Sequence, residues 1–390
     1  MGKVVSSDEK RNEYKRGVLI ILKNKTAYYI SEYEEYRRCK VYGLSTKIEM
    51  QAKQMKDAGF KVVMATPKKK IINEYLDTLN FFSSVYKWEA IDIPKECGVI
   101  YIRYLCFDFG FLHFLRRIKK QKKNIKIIIE IPTYPFIGER IGLIKIVKAK
   151  KEEFFAQFLK KYVNRIVLTA GDFNYLYGVK VINAINGTDF SKISPRECSN
   201  HEKTTDIHII SVANMAFWHG YDRVLQGMAQ YYKSDNQRKV IYHIVGKGEI
   251  VSELRKYVKR MGIQDYVIFH GCKWGKELNR IYDQCEVGIE VLGKHRCKMA
   301  AVSSIKSSEY GAKGLPMISS VTIGIENRET MPYILKISSD ETALEINQVI
   351  LFYDKIYKYK MSTPIEIREV FEKYCDIKHT FAKVIQYMIN

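Results

Sequence analysis

Short, unbroken runs of branched apolar residues recur along almost the whole chain, each followed by a helical stretch. In the first half the runs are 18–22, 61–65, 99–104, 125–131 and 165–169; in the second, 207–212, 240–245, 267–270, 287–290 and 316–319. A run that is apolar at consecutive positions suits a strand buried on both faces, which is the condition of a parallel sheet covered by helices. The stretches 46–58, 224–232, 250–261 and 276–285 have the spacing of those helices. Two successive sets of this kind predict an α/β chain of two doubly wound domains.

The polar segment NGTDFSKISPRECSNHEKTTD, with Gly187 and Pro195, marks the expected boundary. The reading is an N-terminal domain over 1–190, a second over 191–365, and a closing helical stretch over 366–390 that packs back on the first. In FEKYCDIKHTFAKVIQYM, residues Phe371, Tyr374, Ile377, Phe381, Val384 and Ile385 fall at helical spacing.

Composition narrows the class. With 46% hydrophobic and 13% aromatic residues the chain is globular rather than disordered. Its eight cysteines include no C-x-x-C pair, so neither a disulfide framework nor a zinc knuckle is indicated. The opening MGKVVSSDEKRNEYKR is polar and does not read as a secretory leader, and no apolar run approaches the roughly 18 residues of a spanning helix. The expected location is cytoplasmic, with a peripheral place on the inner face of the cell membrane. Charge is lopsided: residues 1–185 hold 36 Lys and Arg against 19 Asp and Glu, whereas 186–390 hold 29 against 24. One half therefore carries a field suited to an anionic surface.

In open parallel sheets, ligands bind beyond the carboxyl ends of the strands, where helix N-termini offer free amides. Three turns fit that position. VYGLSTKIEM has Gly43, with Thr46 and Glu49 at capping-box spacing; YHIVGKGE has Gly246 and Gly248; SVANMAFWHGYDRV has Asn214, His219 and Gly220. Each reads equally as ordinary turn chemistry. In SSIKSSEYGAKGLPMI, Lys306 and Glu309 are neighbours on one face of a helix that Gly314 and Pro316 end. They suit a surface ion pair, or a carboxylate for ribose hydroxyls beside an ammonium for a diphosphate.

The order of these segments resembles the GT-B-fold retaining glycosyltransferases of the large family that builds bacterial polysaccharides and glycolipids (group 1 type), particularly its capsular-polysaccharide members. GLSTKIEMQAKQMKDAGFKV is similar to the first turn and helix of the acceptor domain, and NAINGTDFSKI to the inter-domain linker. SVANMAFWHGYDRVLQGM resembles the opening of the donor domain. YHIVGKGE and VIFHGCKWGKELNRIYDQCEVGI resemble its glycine turn and following strands, and SSIKSSEYGAKGLPMI its donor-binding helix. The resemblance implies two Rossmann-like domains facing a central cleft. It gives Glu309 the donor ribose, Lys306 and His219 the leaving diphosphate, and Gly43, Asn214 and Gly220 the diphosphate surroundings. Gly246, Gly248, Cys272 and Lys273 would border the base. The chain departs from the family where an Arg and a Lys usually flank the donor-domain opening, here Asn214 and His219. It departs again at Ala301, where the family has the first of two glutamates.

No Asp-x-Asp motif occurs, and the resemblance implies neither metal nor other cofactor, with positive charge stabilising the leaving group. The implied partners are a nucleotide-sugar donor, with UDP the expected nucleotide, and a glycan or lipid-linked acceptor, and no nucleic acid. Acceptor-side candidates at the end of IIIEIPTYPFIGE are Glu130, Thr133, Tyr134 and Glu139. FDFGFLHFLRRIKKQKKNIK sets five apolar side chains (Phe109, Phe111, Leu112, Phe114, Leu115) before seven basic residues, from Arg116 to Lys126. That composition suits either a segment on an anionic membrane or a helix whose apolar face joins the core. A nucleotide-sugar epimerase of the same fold, or a non-catalytic basic protein binding anions or nucleic acid, are the rival readings.

Overall fold

A computed structural model describes residues 25–39, 42–71, 74–132, 134, 143–169, 171–197, 206–234, 238–324 and 331–390. Two compact units divide the chain between Ala184 and Ile185, and Phe381–Asn390 belongs to the first of them. The division thus falls a few residues earlier than the sequence suggests, and only the last ten residues, not 366–390, join the first unit.

The first unit is built on seven strands: β1 (Thr26–Ile30), β2 (Lys61–Ala65), β3 (Cys97–Arg103), β4 (Lys126–Ile131), β5 (Arg165–Leu168), β6 (Tyr175–Leu176) and β7 (Val179–Asn183). Their order is β2-β1-β3-β4-β5-β7-β6, parallel except for the β6–β7 hairpin. Ile127, Ile128 and Ile129 are all buried, as a strand covered on both faces requires. The predicted strand 18–22 lies outside the described residues. Sequence gave no sign of β1 or of β7, whose polar and aromatic residues break the apolar pattern.

Six parallel strands form the second unit: β8 (Ile207–Met215), β9 (Val240–Gly248), β10 (Val267–Gly271), β11 (Val287–Ile289), β12 (Met317–Ser319) and β13 (Ile334–Lys336), in the order β10-β9-β8-β11-β12-β13. Helices Tyr221–Tyr231, Val251–Met261, Gly275–Tyr282 and Ile305–Lys313 alternate with them. The carboxyl ends of β8 to β12 therefore share one edge of this sheet.

Three features of the first unit correct the sequence reading. Helix Tyr42–Asp57 begins before Thr46, so Thr46 is a helical position rather than a cap, and Glu49 accepts a hydrogen bond from Tyr33 (2.6 Å). Gly43 is exposed within the first turn of that helix, with open space where a Cβ would lie. In helix Phe109–Gln121, Phe111, Phe114, Leu115 and Ile118 are buried, so this apolar face belongs to the core. Several of its cations are taken up locally as well. Arg117 donates to the Ile91 and Trp88 carbonyls (2.7 and 3.2 Å), and Lys122 to those of Pro94 and Cys97. Within 109–126 the helix ends at Gln121 and is chiefly a core helix with a solvated end, and Lys126 opens β4.

Candidate functional site

Helix Ile305–Lys313 is set by strong local signals. Ser304 caps it by accepting from the Ser307 amide (3.2 Å), and Gly314 ends it at φ 71°, where a Cβ would lie 2.0 Å from the Pro364 carbonyl oxygen. Seven of its nine residues are buried. It is not a surface helix, and Lys306 and Glu309 do not form an ion pair.

Lys306 turns to a carboxylate from a neighbouring loop. Its Nζ lies 3.4 Å from Glu290 Oε2 and 3.3 Å from the Tyr221 hydroxyl, 5.8 Å from the centre of that ring. Glu290, just after β11, is fully buried and accepts from Ser307 Oγ (2.7 Å) and from Ser304 Oγ. Burial lowers the Lys306 pKa and Glu290 opposes that shift. The serines and Glu290 thus fix one ammonium group at the helix N-terminus, where the backbone adds its own positive end.

Glu309 is placed differently. It is partly buried, and the Tyr282 hydroxyl donates to it at 3.5 Å. Desolvation pushes its pKa up to about 7, with the Tyr282 hydrogen bond working against the shift. Among the described residues this long contact is the hydrogen bond Glu309 accepts, which leaves its oxygens suited to accept from a ligand's hydroxyls.

His219 follows β8. The Ala216 amide donates to its Nδ1 (3.0 Å), and its ring stacks on Tyr221 with centroids 5.3 Å apart. Burial, then Lys306 and Lys294, hold its pKa well below the usual histidine value. At neutral pH the imidazole is uncharged, so it cannot supply the positive charge that the sequence reading assigned to it. Nδ1 also lies 3.2 Å from the Ala216 carbonyl oxygen; in the tautomer whose Nδ1 accepts from the Ala216 amide, Nε2 carries the proton and is a neutral donor. Gly220, at φ 69°, leaves room for Gly293: a Cβ would stand 2.5 Å from the Gly293 nitrogen. The Leu292 amide donates to the His219 carbonyl (2.8 Å), tying this loop to the segment after β11.

That segment brings a residue the sequence reading passed over. Lys294 is buried, 5.6 Å from the Trp218 ring centre, and its charge acts on His219. Two lysines from other segments, Lys306 and Lys294, therefore act on His219. The GKHR run after an apolar strand was the available signal. Asn214 is exposed in β8, opposite Lys247. Ala301 bridges Thr322 by backbone alone, leaving Glu309 without a paired glutamate at that position.

Gly246 and Gly248 do not form a turn after β9 but are its last residues, paired with Ala213 and Met215. Cβ atoms there would lie 1.9 Å from the Ala213 oxygen and 2.0 Å from the Met215 oxygen. The glycines serve the close approach of β8 and β9. Cys272 is exposed just after β10, and Lys273 pairs with Glu277 at 2.7 Å.

Of the acceptor-side candidates, Thr133 and Glu139 lie outside the described residues, and Tyr134 packs edge-on against Phe173 and Tyr177. Glu130 is corrected outright. It is fully buried, accepting from Lys47 (2.5 Å), Arg103 (2.6 Å), Tyr101 (2.6 Å) and Gln51 (2.8 Å). Burial would raise its pKa, but Lys47 and Arg103 hold it down at about 2. A carboxylate so fully satisfied is part of the framework, not an acceptor group.

Residues 196–328 match the family model described as glycosyl transferases group 1. The second unit resembles the group 1 glycosyl transferases over this stretch. Its matched stretch holds His219, Lys294, Lys306 and Glu309. Solved structures share the arrangement across the chain. A sucrose-phosphate synthase from Thermosynechococcus elongatus is 13% identical with a TM-score of 0.63, covering 93% of this chain and 97% of that one. HepE of Anabaena in complex with UDP is 11% identical with a TM-score of 0.57, covering 93% and 99%. A lipopolysaccharide outer core galactosyltransferase is 12% identical with a TM-score of 0.56, covering 94% and 99%. The fold is GT-B. No curated protein sequence matches the chain.

Proposed function

We propose that this glycosyl transferase moves a sugar from a UDP-sugar to a hydroxyl of a glycan or lipid-linked glycan in bacterial surface-polysaccharide synthesis, with retention at the transferred carbon. The observation that carries the donor site is the pairing of a held ammonium with a carboxylate rich in unused acceptors, both on helix Ile305–Lys313 at the carboxyl edge of the second sheet. Lys306 and Lys294 neutralise the diphosphate, the His219 Nε2–H donates to a phosphate oxygen, and Glu309 accepts from the two ribose hydroxyls. The reading requires no metal for leaving-group charge. HepE, solved with UDP and with UDP-glucose, supports uridine as the base, and the galactosyltransferase supports a surface glycan as product.

In the reaction the acceptor oxygen bonds to the anomeric carbon as the bond from that carbon to the phosphate oxygen breaks. UDP leaves with the electron pair, and the acceptor proton passes to its phosphate oxygen. Fixed positive charge at that oxygen is the contribution this site makes to the barrier.

Thermal unfolding with UDP, GDP and ADP tests the site. UDP at about a hundred times its dissociation constant should stabilise the protein by about 2.7 kcal/mol. GDP and ADP should stabilise it less, and Lys306→Ala and Glu309→Ala should remove the UDP shift. Indifference to all three nucleotides, or an undiminished shift in both variants, would overturn the proposal.

A further inference from the structure

Helix Leu143–Ala156 in the first unit carries two apolar stripes. One, with Ala149, Phe155 and Ala156, is buried in the ordinary way. The other faces outward: Leu143, Ile146, Val147 and Phe154 are exposed, Leu143 to 78%. Their spacing of three, four and eleven residues follows one helical face. The stripe continues across the surface. Phe154 meets Phe81 (5.0 Å between centroids), Phe81 meets Phe82 (5.6 Å), and Phe82 meets Phe109 (5.3 Å), with Phe82 itself 69% exposed. Lys151 pins the helix to this neighbour by donating to the Asp77 and Asn80 carbonyls (2.7 Å each) and to Ser83 Oγ (2.8 Å). An apolar surface of this continuity is uncommon on a protein that meets only water.

The rim of the stripe identifies what covers it. Lys150 is exposed within the stripe, on the same helical face as Leu143, Val147 and Phe154, and the half of the chain holding it carries nearly twice as many Lys and Arg as Asp and Glu. An apolar stripe that carries a lysine, on a strongly basic unit, complements a surface with hydrocarbon beneath anionic headgroups, and a helix of this kind lies in the interfacial plane. Among the described residues no helix is long and apolar enough to cross a membrane, so this would be contact with one leaflet. We infer that the face formed by helix Leu143–Ala156 and the Phe81, Phe82 and Phe109 rings docks the protein on an anionic lipid bilayer. This is a different surface from the buried face of helix Phe109–Gln121, and it is independent of the nucleotide site.

Sedimentation of the full chain with vesicles decides the matter, using phosphatidylcholine alone or mixed with phosphatidylglycerol. Native protein should bind the mixed vesicles and leave the neutral ones. Ile146→Asp with Val147→Asp should weaken binding about tenfold or more, and Lys150→Glu should weaken it as well. All three side chains are exposed, so the melting temperature and the UDP response should be unchanged; these readouts separate loss of docking from loss of folding or of the donor site. Equal binding to both vesicle types, or variants that bind as the native chain does, would overturn the inference. So would a native dimer that Ile146→Asp dissociates, because the stripe would then be covered by a second copy.

Discussion

At the scale of single residues, Lys306 and Glu309 show what one helix can and cannot reveal. Their positions were legible because a capped nine-residue segment ending in Gly-Leu-Pro is a local pattern. Their partners were not, because Glu290, Tyr221 and Tyr282 arrive from distant segments that only the folded sheet brings near. The charge of His219 was misread for the same reason, since burial and two lysines decide it. Glu309 gives a direct test. Burial pushes its carboxyl from 4.5 up to about 7, so folding favours the protonated form. The stabilising contribution is complete below the unfolded value of about 4.5 and is lost as pH rises through about 7. Glu309→Gln is uncharged throughout. Its melting temperature should therefore draw ahead of the native one across that window and hold a constant lead above it. A lead that does not change with pH would show that the carboxyl is not desolvated.

At the scale of elements, strand interiors were legible and strand ends were not. The apolar run 240–245 continues in the structure as polar and glycine residues to Gly248, because β8 pairs with it as far as Met215. Pairing, not hydrophobicity, sets that end. A second product of pairing is a ladder of histidines across three strands. His208 Nδ1 lies 2.8 Å from His243 Nε2, and His243 Nδ1 lies 2.9 Å from His270 Nε2. Nothing in the spacing of the three along the chain announces it. The β8–β9 approach makes a quantitative prediction at Gly246, where φ is 132° and a Cβ would collide with the Ala213 oxygen. Gly246→Ala should cost about 3 kcal/mol from backbone strain and displacement together. Lys247→Ala, at an exposed position between the glycines, should cost little. Denaturant midpoints at constant slope would measure both, and a Gly246→Ala midpoint equal to that of Lys247→Ala would refute the close approach.

At the scale of the whole molecule, the two units carry different properties: the first most of the net charge and the outward apolar stripe, the second the candidate donor site. The chain's end adds a further asymmetry, since residues after Thr380 leave the unit they follow and complete the other. Phe381, Val384 and Met388 are buried, with Phe381 edge-on to Tyr101 at 5.7 Å. Arg165 lies 4.4 Å from the Tyr387 ring centre, and Lys126 donates to the Tyr387 carbonyl (3.2 Å). The helical spacing in this stretch was legible, but not which residues leave the second unit, because the short break after Thr380 has no proline or glycine to mark it. Deleting Phe381–Asn390 removes three buried apolar side chains, each worth about 1.5–3 kcal/mol. The loss should fall on the first unit: amides of β3 and β4 should exchange with solvent much faster, while those of β8 and β9 keep their protection. UDP should still bind, since Lys306, Glu290, Glu309 and His219 all belong to the second unit. Loss of protection in β8 and β9 to the same extent would contradict the assignment of the last ten residues to the first unit alone.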